Sequence, residues 1–289
     1  MPGIAAGAST GDAFIANVRA ALEQVDANAA GATKGRDPEY LHQLRVGLRR
    51  LRSTLHAFHS LLRRRKSAEF EHVLRESLRA LGAARDWDVF GRSHRDSGLV
   101  RAARRRSTGA RLRARDMLHS VRFRMTLRHF LAWVKIAPWR SGANPDEPVA
   151  AFARRALRCL QESLREDAEG IVWSNASQRH RVRVKVKRLR YGCECFAAAY
   201  SKHEMRPYLN RLRKLQQILG EMNDIIFQRA LLQELAHDAR LRRPAAVLRV
   251  ALAARECELT GEVTRAWNEL EATKPFWRRA VVVRAQECP

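Results

Sequence analysis

A basic helical pattern that occurs twice limits the fold of this chain more than any other feature. The first copy occupies residues 41–52 and reads LHQLRVGLRRLR, and a second copy further along reads HRVRVKVKRLRY. Alignment of their histidines matches Arg45 with Arg183 and Arg49 with Lys187, at an offset of 138 residues. The same offset holds without a gap over roughly seventy residues, which predicts a duplicated structural unit.

Each copy places apolar and basic residues on neighbouring stripes of one helix. In the first copy, leucines recur at spacings of three and four, the pattern of a helix face that rests on a core. At about 100° per residue, Arg45, Arg49 and Arg52 lie on the adjacent stripe, which His42 and His56 extend. Close like charges destabilise a helix unless an anion neutralises them. We therefore interpret the stripe as the lining of a groove or cavity, with a solvated surface face as the alternative.

The charge balance of the chain predicts a polyanionic partner. Fifty-five Lys and Arg against thirty Asp and Glu give a formal net charge of +25. Such a surplus suits a nucleic acid, an acidic membrane surface or a phosphate polymer. The arginine guanidinium also matches the geometry of phosphate oxygens.

Cysteine usage and the termini predict a cytoplasmic protein. The five cysteines form no CxxC motif, so we expect free thiols that act as small core residues in a reduced compartment. The N-terminal sequence lacks the basic start and apolar run of a secretory signal. No stretch approaches twenty uninterrupted apolar residues, which predicts that no helix spans a membrane.

Helical periodicity without strand signals predicts an all-α protein. We expect two similar bundles of about four helices each, related by a pseudo-twofold axis around a basic central pore or groove, and we favour one fused unit over two separate domains. The predicted organisation is a tail over 1–11, a first repeat over 12–137, a linker rich in Pro and Gly over 138–148, a second repeat over 149–274 and a tail over 275–289.

Several local signals predict where helices begin and end. Asp37 followed by Pro38 predicts the start of the first basic helix. Leu81-Gly82 and Leu219-Gly220 predict helix ends. Asp86 and Asp224 would then cap the following helices, or alternatively pair with an arginine of the basic stripe. The basic segment 97–136 predicts a long helix with a break near 107–109.

No catalytic motif is present in the sequence. There is no P-loop, GxSxG or HExxH, which predicts that the protein is not an enzyme and needs no cofactor. His56 and His59 have a spacing that suits a metal, but Glu194 and Ala197 occupy the matching positions of the second copy, so no metal site is predicted. His42 and His180 remain open as anion donors, metal ligands, phospho-acceptors or structural residues.

The two half-signatures together resemble a known family. HQLRVGLRRLR followed by LGAARDWDVF, and HRVRVKVKRLRY followed by LGEMNDIIF, resemble the CHAD family of conserved-histidine α-helical domains, over about residues 12–274. The resemblance implies two four-helix bundles and a basic pore or surface that binds inorganic polyphosphate, with localisation to polyphosphate granules. A CYTH-type triphosphatase domain, which often accompanies the family, has no counterpart in the sequence.

The stripe and the resemblance together define the candidate polyphosphate-binding residues. They are His42, Arg45, Arg49, Arg50, Arg52, His56, Arg75, Arg79, His180, Arg183, Lys187, Arg188, Arg190 and Arg213. The expected function is non-catalytic polyphosphate binding. The alternatives are sequence-nonspecific nucleic-acid binding and an enzyme that acts on phosphoanhydrides. The sequence does not indicate an oligomeric state.

Overall fold

The computed structural model describes residues 8–34, 37–93, 97–136 and 138–278. Within these ranges the chain forms nine α-helices and two short 3₁₀ helices, with two isolated β-bridges and no strand. The helices are α1 (Thr10–Lys34), α2 (Pro38–Ala57), α3 (Arg64–Ser93), α4 (Ser97–His119), α5 (Val121–Lys135), α6 (Val149–Ala168), α7 (Ala176–Cys195), α8 (Lys202–Leu235) and α9 (Ala239–Glu271). The predicted all-α class is confirmed.

Equivalent helices of the two halves begin at the same offset as the sequence repeat. The two basic helices α2 and α7 each contain 20 residues and begin at Pro38 and Ala176, at the 138-residue offset. The helices that follow them, α3 and α8, begin at Arg64 and Lys202 with the same offset. The order α1 to α4 therefore matches α6 to α9, and α5 stands outside this correspondence. The pseudo-twofold axis stays a prediction.

Side-chain caps define where the two basic helices begin. The Asp37 carboxylate accepts a hydrogen bond from the Glu39 backbone N–H at 2.8 Å, as Asp37 and Pro38 predicted. In α7 the Asn175 side chain accepts from the backbone N–H groups of Ser177 and Gln178. The caps satisfy backbone donors that have no partner within the helix.

The predicted helix ends at the two Leu-Gly pairs are wrong. α3 continues through Gly82 to Ser93, and α8 continues through Gly220 to Leu235. Asp86 and Asp224 thus lie inside helices and cap nothing. A glycine inside a helix costs only about 1 kcal/mol, and burial of the preceding leucines on the core offsets that cost.

The predicted break near 107–109 is also misplaced. α4 runs unbroken through this segment because Ser107 and Ala110 are buried against its neighbours. The break occurs at Ser120, whose side chain accepts from the Phe123 backbone N–H at 3.2 Å and caps α5.

The two halves share one hydrophobic core. Phe58, at the end of α2, is fully buried. Its ring stacks on Phe152 at 5.5 Å between centroids and contacts Phe196 at 4.9 Å, and both partners belong to the second half. On its other side, Phe58 meets Phe14 of α1 at 5.6 Å. Aromatic packing therefore joins the halves directly, and it positions α2 against α7.

A second, smaller cluster of buried residues joins the far ends of the α3–α4 and α8–α9 hairpins. Its largest members are Trp87 and Phe90 of α3, which share the cluster with Leu232 of α8 and Leu241 of α9. An ion pair between Arg106 and Glu234, at 3.0 Å, joins α4 to α8 as well. The halves are thus connected at two places along the molecule.

The predicted linker packs against the first half. The Trp139 ring meets Phe14 at 5.7 Å, and the Arg140 backbone N–H donates to the Leu61 carbonyl at 2.8 Å. At the other end of the chain, Phe276 and Trp277 are buried against Tyr208, so the start of the predicted C-terminal tail contributes to the core. The remaining predicted tail residues, 1–7 and 279–289, lie outside the described residues.

The cysteines divide into two kinds. Cys193 and Cys195 are buried free thiols, as predicted, whereas Cys159 and Cys257 are exposed and do not act as core residues. Cys288 lies outside the described residues. Within the ranges the structure describes, each helix is too short or too polar to cross a lipid bilayer.

Candidate functional site

The basic faces of α2, α3 and α7 surround a cavity of about 450 Å³. Most of the predicted binding residues line it. These are Arg45, Arg49, Arg52, His56, Arg75, Arg79, His180, Arg183, Lys187 and Arg188. Arg45 and Arg183, which the repeat places at equivalent positions, face this common space from α2 and α7. The cations of both halves therefore converge on one cavity.

Four predicted residues lie outside the cavity lining. Arg50 donates to the Gln24 side chain at 2.6 Å on the exposed side of α2, and Arg213 donates to Asn210 at 3.3 Å on the surface of α8. Arg190 is held by Gln216 and Glu194, and His42 is partly buried elsewhere on α2. Contact between these residues and a ligand stays a prediction.

The ring of Tyr191 contacts two arginines of the predicted binding set. The Arg49 guanidinium lies over the Tyr191 ring, 5.9 Å from its centroid, and the Arg190 guanidinium lies 4.2 Å from it. Arg190 is fixed in turn by its Nε, which donates to the Gln216 side chain at 2.6 Å, and by an ion pair with Glu194. Tyr191 lines the cavity, so this arrangement orders its wall.

Glu71 is a cavity residue that sequence reasoning missed. It is the one acidic side chain among the described lining residues, and its Oε1 lies 4.0 Å from the Nδ1 of His56. The repeat concealed it, because Leu209 occupies the equivalent position of the second half. Its spacing to Arg75 and Leu78 on α3 could have identified it, since residues four and seven apart share a helix face.

Burial lowers the pKa of Arg183, and the nearby carboxylates of Asp224 and Asp86 offset only part of that shift. An ion pair between either aspartate and an arginine of the basic stripe stays a prediction. The Nε of Arg183 is buried and finds no hydrogen-bond acceptor among the described residues. A buried donor without a partner is costly, and this atom has almost no accessible surface through which a ligand could reach it.

Burial, and after it the charge of neighbouring cations, lowers the pKa values of the cavity bases. Burial, with Arg183 and Arg49 nearby, lowers the pKa of Lys187 to about 7. Burial, followed by the charge of Arg188, lowers the pKa of His56 to about 3, so its ring is neutral at physiological pH. Burial also lowers the pKa of Arg52, which nevertheless stays charged. An anion in the cavity would relieve this repulsion.

The arrangement is chemically suited to an extended anion. Arginine and lysine supply charge-assisted donors, and the neutral imidazole of His56 can donate one further hydrogen bond. The hydroxyl of Ser53 is occupied, because it donates to the Arg49 carbonyl at 2.8 Å. No three His, Cys, Asp or Glu side chains cluster closely enough for a metal ion in the parts of the chain that the structure describes.

Comparisons with known proteins agree with this architecture. The crystal structure of the CHAD domain from the plant Ricinus communis superposes with a TM-score of 0.81 at 30% identity, covering 94% of each chain. PptA from Streptomyces chartreusis shares the fold with a TM-score of 0.65 at 19% identity, covering 94% of this chain and 100% of PptA. No curated protein sequence matches this chain significantly. Residues 16–233 match the CHAD domain, and the chain therefore belongs to the CHAD domain family.

Proposed function

We propose that this protein binds inorganic polyphosphate, without catalysing a reaction, in the cavity between α2, α3 and α7. The observation that carries the proposal is the convergence of arginine and lysine side chains from both halves on one cavity. Membership of the CHAD family, which is associated with polyphosphate, supports the same ligand.

Polyphosphate fits this cavity better than a nucleic acid. It is a flexible chain of charge without bases, so a binder needs arrayed cations and no stacking platform. Single-stranded nucleic acids are held on successive aromatic side chains, but Tyr191 is the one aromatic ring among the described lining residues, and arginines cover it. A DNA duplex, whose major groove alone is about 12 Å wide, does not enter a cavity of about 450 Å³.

The groups in the cavity support our proposal of binding without catalysis. Phosphoanhydride cleavage needs a general acid and a general base that are positioned together. The carboxylate of Glu71 lies among cations, and the Ser53 hydroxyl already donates to a backbone carbonyl. We accordingly propose a targeting role, in which polyphosphate binding brings the protein to polyphosphate granules.

Charge reversal tests the cavity directly. The variant R45E/R49E/R183E/K187E should lose long-chain polyphosphate binding, measured by titration at fixed salt, while far-UV circular dichroism shows intact helices. Because all four residues are partly buried, R45Q/R49Q/R183Q/K187Q serves as a milder second variant. The matched control R240E/R242E/R243E/R249E makes the same charge change on exposed positions of α9. Wild-type affinity in a folded cavity variant would show that the cavity is not the site.

A competition titration separates the two ligand classes. Long-chain polyphosphate should displace duplex DNA and RNA from the protein at a lower concentration of charge than either nucleic acid needs to displace polyphosphate. Equal displacement per charge would favour a nonspecific polyanion binder, and nucleic acid is the alternative partner in that case. Salt must be fixed, since counterion release makes such affinities strongly dependent on it.

A further inference from the structure

A second row of basic residues lies on the outer face of α4, which contributes no residue to the described lining of the cavity. At about 100° per residue, its members fall within an arc of about 100° on the helix. They are Arg101, Arg104, Arg105, Arg115 and His119, all exposed, and we call them the outer row. The opposite side of α4 carries Ala103, Ala110 and Leu118, which are buried in the protein. The outer row therefore faces away from the core.

Among the described residues no carboxylate pairs with the outer-row arginines, although Asp116 is exposed three residues before His119 on the same helix. The four arginines of the row make no side-chain hydrogen bond or ion pair with the described residues. Elsewhere on the surface, Arg106 pairs with Glu234 at 3.0 Å, and Arg229 pairs with Glu256 at 3.0 Å. The fixed charge of the outer row is therefore available to an external anion.

The outer row ends in a cleft that adds a lysine to its arginines and histidine. Arg115 and His119 of α4 meet Thr33 and Lys34 of α1 around a space of about 480 Å³. No acidic residue lines this cleft among the described residues. A concave basic site thus continues the straight row, and a flexible anionic chain can follow both.

The outer row is not a by-product of the internal repeat. At the 138-residue offset, two of its positions correspond to Arg242 and Arg243 of α9, but the other three correspond to Ala239, Ala253 and Cys257. The second half thus lacks an equivalent row, although it also contributes residues to the cavity. The surface is a separate feature of the first half.

We propose that the outer row and its cleft form a second polyphosphate-binding surface, so that one molecule holds two segments of phosphate chain at once. The proposal rests on polyphosphate as the ligand of the cavity. A chain longer than the cavity leaves phosphates outside it, and a second surface on the same protein raises its avidity through effective concentration. The outer row contains no aromatic side chain, so it offers no stacking platform for single-stranded nucleic acid.

Chain length separates the two surfaces experimentally. The variant R101A/R104A/R115A should bind a short oligophosphate as wild type does, because the cavity is unchanged, but bind long-chain polyphosphate more weakly. Loss of three phosphate contacts should reduce the magnitude of the slope of log affinity against log salt concentration by about 2. Over a fourfold range of salt, the affinity of the variant for long chains should therefore change by a factor about 20 times smaller than that of the wild type. The matched control R242A/R243A/R249A removes three exposed arginines from α9 and should retain the wild-type slope.

Each outcome has a defined meaning. If the outer-row variant keeps the long-chain affinity and salt slope of the control, the second surface is refuted while the cavity proposal stands. If short chains fail to bind the wild type but long chains still depend on the outer row, the cavity proposal fails and the outer row is the site. If the variant loses binding to duplex DNA and not to polyphosphate, the row serves nucleic acid and our proposal is wrong.

Discussion

The guanidinium of Arg49 on α2 lies over the ring of Tyr191 on α7, 5.9 Å from the ring centroid. The contact crosses the boundary between the two halves, and Arg190 lies 4.2 Å from the same ring. A cation held in this way loses little conformational freedom when an anion arrives, which favours binding. The lining of the cavity is thus partly ordered before a ligand enters.

Replacement of Tyr191 tests this preorganisation. Tyr191→Ala should weaken polyphosphate binding by about 1 kcal/mol, roughly fivefold, since a partly desolvated cation–π contact contributes about that much. Tyr191→Phe keeps the ring and should bind like the wild type in an isothermal titration. If Phe weakens binding as much as Ala does, the hydroxyl contacts the ligand and the ring is not the important group.

Lys187 should make binding depend on pH near neutrality. Its pKa of about 7 means that the folded protein releases this proton above pH 7, whereas the ordinary lysine value is about 10.5. A phosphate chain favours the charged amine, so affinity should rise as the pH falls through 7. Between roughly pH 6 and pH 9, Lys187→Arg should remove the part of the change in affinity that Lys187 causes. Arginine stays charged throughout this range.

The same group should affect stability in the opposite direction. Between about pH 7 and pH 10.5 the unfolded chain binds more protons at Lys187 than the folded chain does. The free energy of unfolding therefore increases as the pH rises through this window. Below pH 7 this contribution is absent. Urea titrations of the ligand-free protein at both ends of the window check the sign. A wild-type difference that Lys187→Arg leaves unchanged would contradict this assignment.

Glu71 should restrain the affinity of the cavity. Burial lowers the pKa of Arg52, and the charge of Glu71 offsets part of that shift and part of the repulsion among the cavity cations. Glu71→Gln should strengthen polyphosphate binding by up to about 1 kcal/mol, the range of single surface charge pairs, and lower the stability of the free protein. Glu76→Gln on the same helix, where Glu76 pairs with Arg122 outside the cavity, is the matched control. Weaker binding in Glu71→Gln would show that the carboxylate assists the ligand.

Phe58 should hold both halves in one cooperative unit. Its ring meets Phe14 of the first half and Phe152 and Phe196 of the second. Phe58→Ala should lower the free energy of unfolding by about 3–5 kcal/mol because it opens a cavity in the shared core. Ile136→Ala, at a side chain that is 76% exposed, should change it by less than about 0.5 kcal/mol. Two separate unfolding transitions in the wild type would mean that the halves fold independently.

Local patterns in the sequence determined the helices and the composition of their faces. Asp37 and Pro38 predicted the start of α2, and the leucine and arginine periodicity predicted which side of α2 is buried and which is basic. These features depend on residues three or four positions apart, so the sequence contains them in full. The same periodicity, read twice at one offset, indicated that Arg45 and Arg183 occupy equivalent positions.

Only the tertiary structure decided which basic residues meet and which do not. Gly82 and Gly220 read as helix ends, but burial of the neighbouring leucines on a distant core carries α3 and α8 past them. Arg190 has the spacing of a cavity residue, yet Gln216 and Glu194 hold it against Tyr191. Glu71 enters the cavity because α3 packs beside α2. Such contacts join residues far apart in the chain, and no local periodicity encodes the angle at which two helices cross.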